Sequence, residues 1–341
     1  MAGTGTAGTG KDAREGRERG SGLGRWLLRR VLSGVVVLLV VSLLVFLATQ
    51  VLPSDPAQAI LGRRATPAQL VNLRRQLGLD RPLWEQYWRW LRGVLTGDLG
   101  RSLAAARPVS SVVGDRLRDS LALMTYAAAV AIPLPIVIGT WLAVHHDRFT
   151  DRVTNPVVLT LLALPDFVIA TGVLLFFATS VFTVLPASTI LPPGASAFTE
   201  VRQLVLPTLA LTLISAPYTI RLSRAAMIEE LDSEYVAMAR LRGISERNVV
   251  WRHALPNALV PAIQSSALTL SYLLGGIVIV EVIFNYPGLG TLFQSAESTR
   301  DLPVIQAVCM IFAAGLVIAN IAADVLTVLL TPRLRTAGGT R

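Results

Sequence analysis

The chain has 341 residues, of which 52% are hydrophobic and only 16% charged, with a mean hydropathy of +0.57. Soluble domains carry about 25% charged residues, so this composition points away from a soluble protein and toward a bilayer. The net charge of +9 does not imply nucleic acid, because the basic residues flank apolar runs and no folded basic domain gathers them; the single cysteine, Cys309, excludes an intrachain disulfide.

Residues 1–24 are Gly, Thr and alternating charge with almost nothing apolar, and are expected to form a disordered cytoplasmic tail. Within them GTAGTGKD, from Gly5 to Asp12, comes close to a phosphate-binding loop. It fails because Asp12 replaces the final Ser/Thr, no strand precedes it and no apolar-faced helix follows. The chain therefore shows no nucleotide site of its own.

The first membrane-spanning helix is predicted within 25–51, with an apolar core from about Trp26 to Val51 that is too long for a signal-peptide core. Arg25, Arg29 and Arg30 at its start place the N-terminus in the cytoplasm. Residues 52–118 read as an extracytoplasmic segment with amphipathic helices. There, PLWEQYWRWLRGVL puts Trp84, Trp88, Leu91 and Leu95 near one helical face, with Glu85, Arg89 and Arg92 elsewhere. Such a helix suits the water–lipid interface; it either caps the outer bundle or docks an external partner.

Five further spans are predicted at about 119–144, 156–185, 204–228, 257–284 and 303–331, each near or above the ~20 residues needed to cross the hydrocarbon core. They form a core bundle over 119–331, followed by a cytoplasmic tail at 332–341. Pro133, Pro135, Pro165, Pro207 and Pro217 fall inside spans, where neighbouring helices can satisfy the freed backbone groups. The fold class is thus an all-α integral membrane protein with six transmembrane helices and both ends inside. Loops assigned inside hold 18 Lys/Arg against 13 outside, and 11 of those 13 lie in 52–118. Segments beyond about 60 residues translocate largely regardless of charge.

One cytoplasmic loop, 229–256, is too patterned for a linker. Ser233 can cap a helix whose first turn holds Glu234. Tyr235, Val236, Met238, Ala239 and Leu241 follow, and Gly243 suits the position after a helix end, where φ is positive. Ser245 can cap a second helix through Val249, Val250 and Trp251, which Pro256 then stops or kinks. Apolar side chains ringed by Arg240, Arg242 and Arg247 call for a protein groove.

The residues Glu234, Ala237, Ala239, Gly243 and Leu255–Pro256 resemble the "EAA" loop of permease subunits of bacterial ABC importers, with Tyr235 and Val236 where the name implies two alanines. Glu-Tyr-Val is a variant associated with peptide permeases. RRVLSGVVVLLVVSLLVFLATQVLPSDPA, QLGLDRPLWEQYWRWLRGVLTGDLGRS, FNYPGLG, RDLPVIQA and DVLTVLLTPRLR are similar to further blocks of the dipeptide/oligopeptide/nickel branch. Pro53-Ser54-Asp55-Pro56 departs from the commoner Pro-Gly-Asp-Pro, and Thr331 stands where Asp usually precedes Pro332. The resemblance covers nearly the whole chain after residue 25.

The resemblance implies a type I ABC importer permease fold and a non-catalytic role. It implies that Glu234, Tyr235, Ala237, Met238, Ala239, Arg242, Gly243, Leu255 and Pro256 couple the bundle to an ATPase. It further implies two ABC ATPase subunits carrying ATP and Mg, a second homologous permease subunit, an extracytoplasmic substrate-binding protein, and no cofactor on this chain. The cargo stays open among dipeptides and oligopeptides, nickel complexes, haem or another small ligand.

Ionisable groups inside spans are functional candidates by default. Asp166, Glu281, Asn320 and Asp324 are the candidates for a translocation path, although Asp324 lies near the inner end and could instead pair with an Arg at a subunit contact. Pro287, Gly288 and Gly290 in NYPGLG shape an outer turn. His145, His146 and Asp147 could bind a metal, but neighbours on a helix diverge and no further His or Cys is near in sequence; a polar surface loop is expected, with no metal. Two other classes remain to be weighed. A membrane-embedded hydrolase using Asp166 with Asp324 suffers from their different depths. A secondary transporter leaves the cytoplasmic joint without a purpose.

Overall fold

The computed structural model describes residues 9–51, 65–77, 80–180, 185–189 and 200–330, which are helical almost throughout. The elements are α1 (Thr9–Val51), α2 (Pro67–Leu77), α3 (Leu83–Thr96), α4 (Val109–Ala131), α5 (Pro133–Val144), α6 (Phe149–Ala163), α7 (Asp166–Leu174), α8 (Val201–Leu231), α9 (Glu234–Leu241), α10 (Leu255–Ile283), α11 (Leu289–Thr299) and α12 (Leu302–Leu330). Among the described residues, five stretches are long and apolar enough to cross a membrane: Gly24–Gln50, Val109–Val144, Val201–Leu231, Glu246–Ile283 and Leu302–Val328. The bent pair α6–α7 makes a sixth if counted as one span.

Three boundaries differ from the sequence expectation. Helix α1 begins at Thr9, inside the stretch expected to be a disordered tail. The second span begins at Val109, directly after Pro108, so nearly its first three turns come from the segment assigned outside the bundle. The third span is not one rod. Leu164 is extended at φ −79°, ψ 138°, as a residue before proline prefers, and the chain turns by 113° between α6 and α7. The expected Pro53–Pro56 block and the C-terminal tail lie outside the described residues.

The centre of the bundle is α8 against α10. Leu204, Leu206, Ala210 and Leu211 meet Leu273, Ile277 and Val280, and Ala122, Leu123 and Ala127 of α4 with Ala170 and Val173 of α7 close the cluster. Between helices in lipid, close packing and hydrogen bonds do the work that water exclusion does elsewhere. The many alanines permit that approach. Buried hydroxyls are returned to the backbone: Thr212 donates to the Thr208 carbonyl at 2.8 Å and Ser215 to that of Leu211 at 2.9 Å, while Thr219 and Thr269 bond across helices at 3.1 Å. Pro207 and Pro217 lie inside α8 without ending it.

The loop after α3 is latched to the start of α12. Asp301, 2% exposed, accepts from the Ser102 hydroxyl and from the Ala104 N–H at 3.1 Å.

Candidate functional site

The loop between α8 and α10 is built from a short helix, α9, a turn and a second helical limb. Helix α9 turns Val236 and Ala239 inward, where they pack with Met227, Val249, Val250, Ala254 and Ala258. Its other side is bare. Tyr235, Met238 and Leu241 are 40%, 57% and 82% exposed, and Trp251 on the second limb is 63% exposed. Glu234, Ala237 and Arg242 are exposed beside them.

The turn after α9 closes in a defined way. The Ile244 N–H donates to the Ala239 carbonyl at 3.3 Å and the Gly243 N–H to that of Arg240 at 2.9 Å. This is the paired bonding of a Schellman end, which needs a left-handed residue. Gly243 supplies it with φ +78°, and nothing lies within 4 Å of the Cβ it lacks. Backbone conformation, not crowding, selects glycine here.

The expected caps take a different form. Ser233 and Ser245 both have the extended backbone of a cap residue, but neither side chain bonds a helix N–H. The Ser233 hydroxyl donates back to the Glu230 carbonyl at 2.6 Å. Nor does Pro256 stop the second limb. Residues Glu246–Asn248 pass through a π-turn, Val249–Ala254, straight into α10. The Leu255 N–H reaches back five residues to Val250; the widened turn takes up the register where Pro256 has no N–H to offer. Leu255 is half-buried and Pro256 exposed in the first turn of α10.

Two polar clasps stiffen the joint. Arg240 donates through Nη2 to Glu246 Oε1 at 2.8 Å and through Nε to Oε2 at 3.2 Å, and its Nη1 reaches the Leu231 carbonyl at 3.2 Å. That ties α9 to the second limb and to the end of α8; the Glu246 carboxylate raises the Arg240 pKa above its ordinary value. The Tyr235 hydroxyl donates to the Glu230 carboxylate, and Asn257 Nδ2 donates to it at 2.9 Å. Burial first, and Glu230 second, push the phenol pKa upward.

Behind the joint, Asp151 of α6 is 5% exposed and gripped by Arg224 of α8, with Nε to Oδ1 at 2.8 Å and Nη2 to Oδ2 at 2.7 Å. A bidentate pair of this kind fixes orientation as well as charge. Among the described residues, His146, Asp147 and Asp151 form the one group of three or more His, Cys, Asp or Glu whose ligand atoms lie within 4.8 Å of one another. Both oxygens of Asp151 are already engaged by Arg224.

The four path candidates lie in different packing environments. Asp166 is half-buried in the first turn of α7, just past the break. Asp324 pairs with Arg30 of α1 at the α1–α12 seam. Asn320, one turn earlier, donates to the Leu316 carbonyl at 2.8 Å. Glu281 is 0% exposed. It accepts from the Ser120 hydroxyl at 2.5 Å and from the Gly290 N–H at 2.5 Å, within the turn that Pro287, Gly288 and Gly290 make between α10 and α11. A cavity of ≈320 Å³ opens elsewhere, lined by Tyr126, Val130, Leu134, Val205, Thr208 and Leu209 among others.

Sequence reasoning missed Asn257, the roles of Arg240 and Glu246, and the Asp151–Arg224 pair. Only Arg240 and Glu246 stand close in sequence, and they are separated by a turn, where helical spacing carries no signal.

Residues 135–336 match the family described as binding-protein-dependent transport system inner membrane component, and residues 23–124 match the N-terminal part of such components. The match takes in the whole joint. The chain belongs to this family. It is a multi-pass permease component of an ABC transport system, a transport part and not an enzyme, from a class that works with ATPase and substrate-binding partners. Its fold is accordingly the type I importer permease bundle. The chain is 36% identical over 314 residues to the glutathione transport system permease protein GsiC of Salmonella paratyphi A, an alignment covering 91% of this chain and 98% of that one. GsiC of Escherichia coli O6:H1 is 34% identical over 314 residues, with the same coverage. A Brucella abortus chain provisionally named as a peptide transport system permease protein is 35% identical over 309 residues, again covering 91% and 98%.

Proposed function

We propose that this permease component forms half of the path of an ATP-driven importer for small peptides. The carrying observation is the joint at α9. One face is buried in the bundle, and the other presents Met238, Leu241 and Tyr235 to a partner. Such a face, stiffened by a Schellman turn and two clasps, suits the transmission of force from a separate motor. In this reading the partner is an ATPase subunit carrying ATP and Mg, and the chain itself binds no cofactor. Two such ATPases close on nucleotide and swing the bundle between inward-facing and outward-facing states. A second homologous permease completes the path, and an extracytoplasmic binding protein delivers cargo. Both termini and the α9 joint lie in the cytoplasm.

The peptide assignment rests on the relatives, whose names give glutathione and peptides as cargo. Nickel complexes and haem are the competing cargoes within the same architecture. The test is a reconstituted assembly with its binding protein, assayed for ATP hydrolysis against dipeptides, glutathione, a nickel chelate and haem. Stimulation by a peptide supports the reading. Stimulation by the nickel chelate or haem alone overturns the cargo, and failure of the tagged chain to bring down any ATPase overturns the motor.

A further inference from the structure

Helix α3 carries an apolar strip that the described residues leave open. Trp84, Trp88 and Leu95 are 65%, 61% and 78% exposed. At 100° per residue the three fall within a sector of about 40°. Leu91, which the sequence places with them, turns inward and is 4% exposed. The strip thus borders the packed face without being part of it.

The packed face fixes how deep the helix sits. The Tyr87 hydroxyl lies 2.8 Å from the Ser42 hydroxyl, and the Phe46 ring stands 5.5 Å from that of Tyr87 and 5.9 Å from that of Trp90. Ser42 and Phe46 belong to the span Gly24–Gln50, eight and four residues short of its outer end. At 1.5 Å per residue these positions lie about 12 and 6 Å below that end. A helix held there lies at the boundary of headgroups and acyl chains, so an open strip beside its packed face meets lipid. The remaining sector carries Arg89 and Arg92, both exposed, and Glu85, which pairs with Arg81 just ahead of the helix at 3.7 Å. Tryptophan at this level and arginine toward the headgroups is the arrangement of an interfacial anchor.

We propose that α3 is such an anchor: Trp84, Trp88 and Leu95 insert into the outer leaflet, and Arg89 and Arg92 engage the phosphates of anionic phospholipid. The reading is independent of cargo.

The full chain carries one cysteine, so Cys309→Ala gives a background for spin labels at Trp84→Cys, Trp88→Cys, Leu95→Cys and Arg89→Cys. In nanodiscs containing phosphatidylglycerol, labels at 84, 88 and 95 should collide more with oxygen than with an aqueous nickel chelate, and the label at 89 should show the reverse. Labels at 84 and 88 that meet the chelate as freely as the one at 89 overturn the proposal. So does shielding that appears only when the binding protein is added, since the strip is then a protein dock. A second readout needs no label. Brominated acyl chains should quench tryptophan emission of the parent, and Trp84→Phe with Trp88→Phe, two of six tryptophans, should reduce the quenched share. An unchanged share overturns the insertion. Arg89→Gln with Arg92→Gln should abolish enrichment of phosphatidylglycerol over phosphatidylcholine in the co-purified lipid; unchanged enrichment overturns the headgroup contact.

Discussion

The carboxyl group of Glu281 fills the space that a Cβ on Gly288 would take: a methyl built there collides with its carboxylate oxygens. Gly290 makes room on the other side, where an added Cβ would approach Oε2 at 3.0 Å and the backbone of Val278 at 2.8 Å. Glycine is required in this turn by close approach, since Gly288 itself has φ −105°. The buried acid joins three elements, because Ser120 of α4 also accepts the N–H of Leu289 at 2.8 Å. Gly288→Ala is therefore expected to destabilise by about 3 kcal/mol, at the upper end of overpacking costs. Glu281→Gln keeps an acceptor oxygen and the volume, and is expected to cost about 1 kcal/mol. Thermal unfolding of the purified chain in nanodiscs checks the order. Equal melting temperatures for Gly288→Ala and the parent would contradict the geometry.

The end of α9 gives a conformational test. At Gly243 a side chain has open space but the wrong φ, so Gly243→Ala is expected to cost about 1 kcal/mol or slightly more. Gly243→Asn is milder, because Asn enters the left-handed region more readily. Gly243→Pro forbids φ +78° and removes the bond to the Arg240 carbonyl. Uptake in vesicles containing the whole assembly should fall in the order Asn, Ala, Pro, with Pro abolishing it while membrane insertion persists. Full uptake by Gly243→Pro would remove this turn from the mechanism.

The two faces of α9 separate docking from folding. Met238→Glu and Leu241→Asp alter exposed side chains, and stability should change by no more than about 0.5 kcal/mol. If these residues anchor an ATPase, each should weaken association by about 2 kcal/mol, or roughly thirtyfold. Val236→Asp, on the buried face of the same helix, should instead destabilise the joint by several kcal/mol. Melting curves and pull-down of the ATPase, measured on all three, distinguish the faces. Loss of the pull-down by Val236→Asp alone would argue against the docking assignment.

How much of this was legible before the structure depends on distance along the chain. Gly243 and the apolar pattern of α9 could be read because helix ends and periodicity are local. The all-α bundle was legible from hydropathy alone. Pro165 was visible too, but the 113° turn was not, because it follows from the extended backbone of Leu164 together with packing of α7 on α8. Pro256 left a stop or a kink open: the helix does not stop there, and a π-turn absorbs the defect. Asp324 read either as a path residue or as the partner of an Arg at a subunit contact, and sequence did not say which Arg. Its partner, Arg30, is 294 positions away, and only the α1–α12 contact brings them together. Glu281 was a path candidate in sequence, and its bonds to Ser120 and Gly290 were not legible there because those partners lie on other elements.

The Asp151–Arg224 pair sits where α6 meets α8, about two turns before the end of α8 that feeds the joint, and is suited to hold those helices in one orientation. Arg224→Ala would strand a carboxylate that is 5% exposed, at a cost of about 3–5 kcal/mol. Replacing both members, Asp151→Asn with Arg224→Met, removes the stranded charge and should restore most of that loss, because such pairs often match an apolar replacement in stability. The cycle of single and double variants isolates the coupling, expected at about 1–3 kcal/mol. Stability and transport need not recover together. If the pair serves only packing, the double variant regains uptake along with its melting temperature. If its geometry transmits the motion of α9 to α6, the double variant should melt like the parent yet transport poorly, with ATP hydrolysis continuing uncoupled.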